Sequence, residues 1–179
     1  SSAWIGLVDT AGVKAGDRVL VHAAAGGVGG LAVQIARSAG ARVFATCSAR
    51  NAAYVRGLGA GEVAAYDEVA FETVFRDMDV GFDLMGGEGH QRSYPVLKHG
   101  GTMACLNAAP FEDRHDAFGV TVKVAQVFPD RTVLDALLDR VCSGAIRPTV
   151  EKVLRFEDYA EAQRLSDTGH VRGKIVLAL

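Results

Sequence analysis

Residues 18–36 constrain the fold of this chain more than any other stretch. Val19-Leu20-Val21-His22 is an apolar run of strand character, and it stops at the small residues Ala23-Ala24-Ala25-Gly26-Gly27-Val28-Gly29-Gly30. Leu31-Ala32-Val33-Gln34-Ile35-Ala36 then follows with helical periodicity. A strand, a glycine turn and a helix in succession are what a dinucleotide pyrophosphate requires. The glycines permit a sharp turn and close backbone approach, while the helix presents unpaired N–H groups and the positive end of its dipole. A glycine-rich strand–helix turn can also bind nothing, and Ala23 stands where the usual G-x-G-x-x-G has its first glycine. The strand before the turn and the sheet-packing helix after it favour nucleotide binding.

Strands and helices alternate around this unit. A short helix over 2–11 and a turn at Lys14-Ala15-Gly16-Asp17 lead into a strand over 18–22. Helices are expected over 28–39, 50–58, 68–76 and 89–97, with strands over 42–46, 62–66, 79–84 and 102–106. This rhythm predicts an α/β fold, a Rossmann-type doubly wound parallel sheet in three α/β/α layers. From Asn107 the rhythm loosens. A loop over 108–119, a sixth strand over 120–128 and a helix over 130–142 follow, the helix capped near Asp130 or Thr132. Strands over 148–154 and 174–179 flank a helix over 156–165. Residues 1–147 thus read as an NAD(P)-binding domain and 148–179 as a C-terminal segment.

The 179 residues carry a formal charge of −2 and contain no basic run, which argues against nucleic-acid binding. No apolar stretch approaches the roughly 20 residues that span a bilayer, so a soluble, cytoplasmic protein without a membrane partner is expected. The three cysteines, Cys47, Cys105 and Cys142, are sparse and far apart, as suits free thiols in a reducing compartment. The five histidines show no metal-ligand spacing, and no metal is expected.

The second strand ends Val43-Phe44-Ala45-Thr46-Cys47-Ser48-Ala49-Arg50-Asn51. NAD enzymes place an acid here to hold both ribose hydroxyls, yet no acid occurs between Asp17 and Glu62. A carboxylate would repel a 2′-phosphate, whereas Ser48 and Arg50 would hydrogen-bond and neutralise it. Ser48 can equally N-cap the following helix with Arg50 in solvent. The residues favour NADP over NAD.

Further segments then carry a resemblance. They are Gly16-Asp17-Arg18-Val19-Leu20-Val21-His22, Ala25-Gly26-Gly27-Val28-Gly29, Leu58-Gly59-Ala60-Gly61-Glu62-Val63, and Asp79-Val80-Gly81-Phe82-Asp83 before Gly86-Gly87. Leu97-Lys98-His99-Gly100-Gly101 and His170-Val171-Arg172-Gly173-Lys174-Ile175-Val176-Leu177 complete them. Spread in order over nearly the whole chain, they resemble the medium-chain dehydrogenase/reductase superfamily, in its zinc-free quinone oxidoreductase and enoyl reductase branch. The resemblance implies that Ala25, Gly26, Gly27 and Val28 carry the pyrophosphate. It implies that Thr46, Ser48, Arg50 and Asn51 stand at the ribose and its 2′-phosphate. Many members have lysine where this chain has Asn51, which leaves Arg50 as the expected cation. Tyr66 matches a tyrosine beside the adenosine phosphate, or else simply ends the third strand. Met85, Gly86, Leu106 and Asn107 fall where the nicotinamide and its ribose would sit, and Asp83 is expected to fix a turn.

The same resemblance implies a NADPH-binding domain of a zinc-independent reductase that passes hydride to a quinone or an α,β-unsaturated carbonyl or thioester. Members place a GroES-like substrate domain ahead of this fold, so a missing substrate domain or neighbouring domains are expected partners, besides a small-molecule substrate. They also pair the sixth strand across a two-fold axis, which implies a homodimer. The alternatives are a non-catalytic NADPH-sensing or structural module, and an enoyl reductase domain of a polyketide or fatty-acid synthase. No catalytic side chain is assigned. Tyr94-Pro95-Val96-Leu97-Lys98 imitates the Tyr-x-x-x-Lys of short-chain reductases but is interrupted by Pro95. No Gly-x-Ser-x-Gly elbow exists for a hydrolase. Cys105, near the cofactor edge, reads as a buried strand cysteine rather than a redox centre.

Overall fold

The computed structural model describes residues 1–106, 112–128 and 130–179. Strands β1 (Arg18–Val21), β2 (Arg42–Cys47), β3 (Glu62–Ala65), β4 (Met78–Asp83), β5 (Leu97–Cys105) and β6 (Thr121–Val124) form one sheet in the order β3-β2-β1-β4-β5-β6. Every neighbouring pair is parallel. With β1 between β2 and β4, the chain winds outward from it in both directions. The crevice at the carboxyl ends of β1 and β4 is therefore the switch point at which such sheets take ligands. β7 (Val150–Arg155) and β8 (Lys174–Ala178) pair in parallel as a second, two-stranded sheet.

The helices are α1 (Ser2–Trp4), α2 (Gly29–Ser38), α3 (Ala52–Leu58), α4 (Phe71–Val74), α5 (Gly87–Ser93), α6 (His115–Phe118), α7 (Arg131–Cys142) and α8 (Tyr159–Asp167). They cover both faces of the large sheet because its strands are apolar on both sides. Val19, Val21, Val43, Phe82 and Ala104 pack in one core with Val33 and Ile35 of α2 and Val55 of α3. The alternate positions Leu20, Phe44, Met103 and Cys105 pack in the other with Phe71, Tyr94 and Val96. Two buried faces explain the near-continuous apolar runs in the sequence. No helix among the described residues is long and apolar enough to cross a membrane.

Several expected elements are shorter. The helix expected over 68–76 contracts to α4, because Ala70 and Phe75 on either side are extended and Asp77 turns the chain with φ 57°. The helix expected over 89–97 ends as α5 at Ser93 and gives way to a 3₁₀ turn, Tyr94–Val96, containing Pro95. Proline lacks the N–H that the α ladder needs, so β5 begins at Leu97 rather than at 102. The sixth strand keeps four residues instead of nine. The N-terminal helix passes from α1 into a π-helical stretch, Ile5–Thr10. Asp130 caps α7 by accepting from the Thr132 N–H at 2.7 Å, as its position suggested.

The C-terminal segment lies against the nucleotide side of the sheet. Gln34 of α2 accepts from the Arg147 N–H at 2.7 Å, and Tyr54 of α3 donates to the Thr149 hydroxyl at 2.8 Å. Gly173 bridges Gly26 and donates to the Ala25 carbonyl at 2.9 Å.

Candidate functional site

The glycine turn leaves β1 through Ala23, whose φ of 48° lies in the left-handed region. This is the position where the usual motif has glycine, so the sequence departs from the pattern where the backbone most favours it. The Gly26 N–H closes the turn on the Ala23 carbonyl at 3.0 Å. A Cβ on Gly29 would come within 2.2 Å of that same oxygen, so α2 can begin here only with glycine. Gly27 has a different neighbour. A Cβ there would meet the Lys174 stem at 2.3 Å and the Gly173 carbonyl at 2.9 Å. Gly29 thus serves the turn and Gly27 the docking of the C-terminal segment, while in the first turn of α2 the Gly30 and Ala32 N–H groups already bond the Gly26 and Val28 carbonyls at 2.9 Å.

His22 sits under this turn with 6% of its surface exposed. The Ser93 hydroxyl donates to the Gly89 carbonyl at 2.7 Å, so its oxygen accepts from His22 Nε2 at 2.9 Å. Nδ1 is then the acceptor for the Thr46 hydroxyl at 3.0 Å. Burial drives the imidazole pKa down to about 4, which keeps the ring neutral and this tautomer in place. Thr46, expected at the ribose, is fixed from below by His22.

The turn after β2 differs from expectation in three respects. Ser48 makes no side-chain cap; its hydroxyl accepts from Asn51 Nδ2 at 3.1 Å. The acid missing from this part of the sequence arrives from the next strand, since Asp67 accepts from the Ala49 N–H at 2.8 Å. Arg50 is also not the only cation. Arg172 donates through Nε and Nη2 to Asn51 Oδ1 at 3.2 and 3.0 Å, with its guanidinium 4.8 Å from the centre of the Tyr54 ring. Arg50 reaches the His170 carbonyl at 3.2 Å. Among the described residues neither guanidinium is paired with a carboxylate; Glu151 and Asp67 instead accept the backbone N–H groups of Arg172 and Ala49.

A cleft of about 300 Å³ runs from Ala25 and Gly26 past Thr46 and Ser48 to Tyr66 and Met85, which are 60% and 64% exposed. Its described lining holds one carboxylate, Asp83. Oδ1 of Asp83 accepts from the Met85 and Gly86 N–H groups at 2.9 Å each, and Oδ2 from His90 Nδ1 at 2.8 Å. Burial pushes this carboxyl up, but the Gly86 and Met85 amides and the His90 ring outweigh it and hold it below the usual range. Asp83 therefore fixes the β4–α5 turn, as expected. Val28 and Leu106 lie partly buried against the first core, and Asn107 lies outside the described residues. Arg92, on the cleft wall, is neutralised by Glu72 through two 2.7 Å hydrogen bonds.

The two residues set aside in the sequence, Tyr94 and Cys105, are buried as expected. Tyr94 is buried and bonds His90 Nε2 at 3.0 Å, whereas Lys98 lies in β5 and pairs with Asp79. Burial raises the Cys105 thiol to about 12, so it stays protonated and inert.

A parallel sheet in this order, with a glycine turn and a cleft at its switch point, defines a Rossmann-type nucleotide-binding domain. Residues 58–177 match the family model described as zinc-binding dehydrogenase, and the chain belongs to that family, within the medium-chain dehydrogenase/reductase superfamily. It is 34% identical to polyketide synthase GfsB of Streptomyces halstedii over 100% of this chain and 3% of that protein. It is 31% identical to the mitochondrial NAD(P)H oxidoreductase RTN4IP1 of Danio rerio, over 100% of this chain and 54% of the relative. The quinone oxidoreductase from Coxiella burnetii superposes with a TM-score of 0.88 at 31% identity, covering 99% of this chain and 57% of that one. The chain spans about half the length of the oxidoreductases it matches.

Proposed function

We propose that the cleft binds NADPH and that the parent enzyme reduces an electron-poor acceptor, a quinone or an α,β-unsaturated carbonyl or thioester. Relatives named as an NAD(P)H oxidoreductase and a quinone oxidoreductase support a nicotinamide cofactor. The choice of NADPH rests on one observation: Arg50, on the His170 carbonyl, and Arg172, on Asn51, are both without a carboxylate partner among the described residues. Asp67 already occupies the Ala49 amide, so the charge of a 2′-phosphate falls to the two guanidiniums.

The chain's own residues bind and orient. The first turn of α2 beside Gly26, Gly27 and Val28 takes the pyrophosphate. Thr46, Ser48, Arg50, Asn51 and Arg172 hold the phosphorylated ribose, Tyr66 stands by the adenosine, and Met85, Gly86, Leu106 and Asn107 border the nicotinamide end. Bound NADPH supplies the hydride. Positioning that donor against the acceptor is the contribution of such a domain, and no side chain is assigned to a chemical step.

Chemistry independent of zinc is part of this reading. Asp83, His90 and Cys105 bring ligand atoms within 4.8 Å of one another, and the Asp83–His90 pair is joined by a 2.8 Å hydrogen bond. Residues 148–179 are proposed as the return toward a substrate domain, because β7 leaves Val150 and Val153 47% and 61% exposed and β8 leaves Val176 39% exposed. A two-stranded sheet with an uncovered apolar side needs further structure to complete it. A homodimer through β6 is proposed from its free edge. Three free thiols suit a reducing compartment such as the cytoplasm. A second reading, an enoyl reductase domain within a polyketide synthase, is favoured by the match of the whole chain to GfsB.

Titrating nucleotides into variants tests the phosphate site. Arg50→Ala and Arg172→Ala should each weaken NADPH about ten-fold, the loss of one charge-assisted hydrogen bond, and leave NADH affinity unchanged. Equal losses for both nucleotides would remove the two arginines from phosphate recognition.

A further inference from the structure

Helix α5 carries a buried polar chain that the cofactor contacts do not explain. His90 is 0% and Tyr94 0% exposed, in the interior between α5 and the sheet. Asp83 Oδ2 has no proton to give, so His90 Nδ1–H donates to it at 2.8 Å. His90 Nε2 bonds the Tyr94 hydroxyl at 3.0 Å, and that hydroxyl also donates to Asp113 Oδ1 at 3.4 Å. The Tyr94 oxygen in turn accepts the Arg114 N–H at 3.2 Å.

The two ends of this chain hold two separate loops, the Met85–Gly86 turn after β4 and the segment from Glu112 to Arg114. At one end Asp83 Oδ1 fixes the Met85 and Gly86 amides at 2.9 Å. At the other, Tyr94 holds Arg114 and stacks on Phe118 at 5.5 Å, and Gln91 Nε2 donates to the Glu112 carbonyl at 2.7 Å. Residues 112–118 follow shortly after Leu106, where β5 ends. A run of donors and acceptors that is fully satisfied in an apolar interior is directional and rigid, and loses both properties when one member is removed.

We propose that His90 and Tyr94 are positioning residues that lock the Met85–Gly86 turn to the Glu112–Arg114 segment and so set the shape of the nicotinamide end of the cleft. This rests on the NADPH reading above. The adenosine end, built on Thr46, Ser48 and Asn51, shares no hydrogen bond with Tyr94.

Nucleotide fragments separate the two ends. NADPH spans the whole cleft, whereas 2′,5′-ADP carries the phosphorylated adenosine without a nicotinamide. Tyr94→Phe removes one hydroxyl and keeps the ring packing, and a melting profile checks its fold. In the 179-residue chain it should weaken NADPH about five-fold, as expected for one broken hydrogen bond in a positioning chain, and change 2′,5′-ADP less than two-fold. His90→Gln, which keeps a donor and an acceptor, should recover part of the NADPH affinity lost in His90→Leu. Equal weakening of both probes by Tyr94→Phe, or no weakening of NADPH, overturns the proposal. A wild-type chain that binds neither probe overturns the cofactor reading, and this proposal with it.

Discussion

Neutral His22 ties the stability of the fold to pH. In the unfolded chain its imidazole takes a proton near 6.5, whereas in the folded chain burial delays this to about 4. Between those values the unfolded state binds more protons, so stability falls as pH drops through that window, by about 3 kcal/mol at its lower end. Asp83, held below the usual carboxylate range, adds its own loss only at still lower pH. Urea midpoints measured from pH 7 to pH 4 should decline more steeply for wild type than for His22→Gln, and parallel declines would contradict a buried neutral histidine. At this scale much of the site was legible. Ser48, Arg50 and Asn51 stand together because they are neighbours in sequence, and Gly26 joins them because β1 pairs with β2. Arg172 was not legible as their partner, because it lies 121 residues beyond Asn51 and only the docking of the last strands brings it there. Asp67 was hidden for the same reason: it caps Ala49 only because β3 lies beside β2.

Elements were legible where burial on both faces left an unbroken apolar run. That condition gave β1, β2 and β4 to within a residue or two. It failed at α4 and at the start of β5. Four residues of α4 persist because Phe71 and Phe75 are buried in the second core, a tertiary cause with no periodic signal. Pro95 announced the end of α5 but not that the chain would enter the sheet at once. The short β6 bears on assembly. It pairs with β5 on one side from Thr102↔Thr121 to Cys105↔Val124 and closes the order of strands on the other. Val124 and Phe128 nearby are 38% and 69% exposed. An exposed strand edge of this kind pairs readily with its own copy. Sedimentation equilibrium should find a species of twice 18.8 kDa; a monomer across the whole concentration range would leave β6 as a blunt edge.

The whole molecule joins two unequal parts. The six-stranded sheet is covered on both faces and carries the cleft, while β7 and β8 form a narrow ribbon with apolar side chains in solvent. The loop ahead of β8 lines the cleft with Gly169, His170 and Val171, and Gly173 docks on Gly26 and Gly27 and brings Arg172 to Asn51. Docking of the C-terminal segment and the placing of Arg172 at Asn51 therefore run through the neighbouring residues Arg172 and Gly173. The most direct test of the account is calorimetric titration of the wild-type chain with NADPH and with NADH under one salt concentration. The proposed 2′-phosphate site at Arg50 and Arg172 predicts that NADPH binds at least about ten-fold more tightly. Equal affinity for the two nucleotides, or tighter binding of NADH, would contradict it.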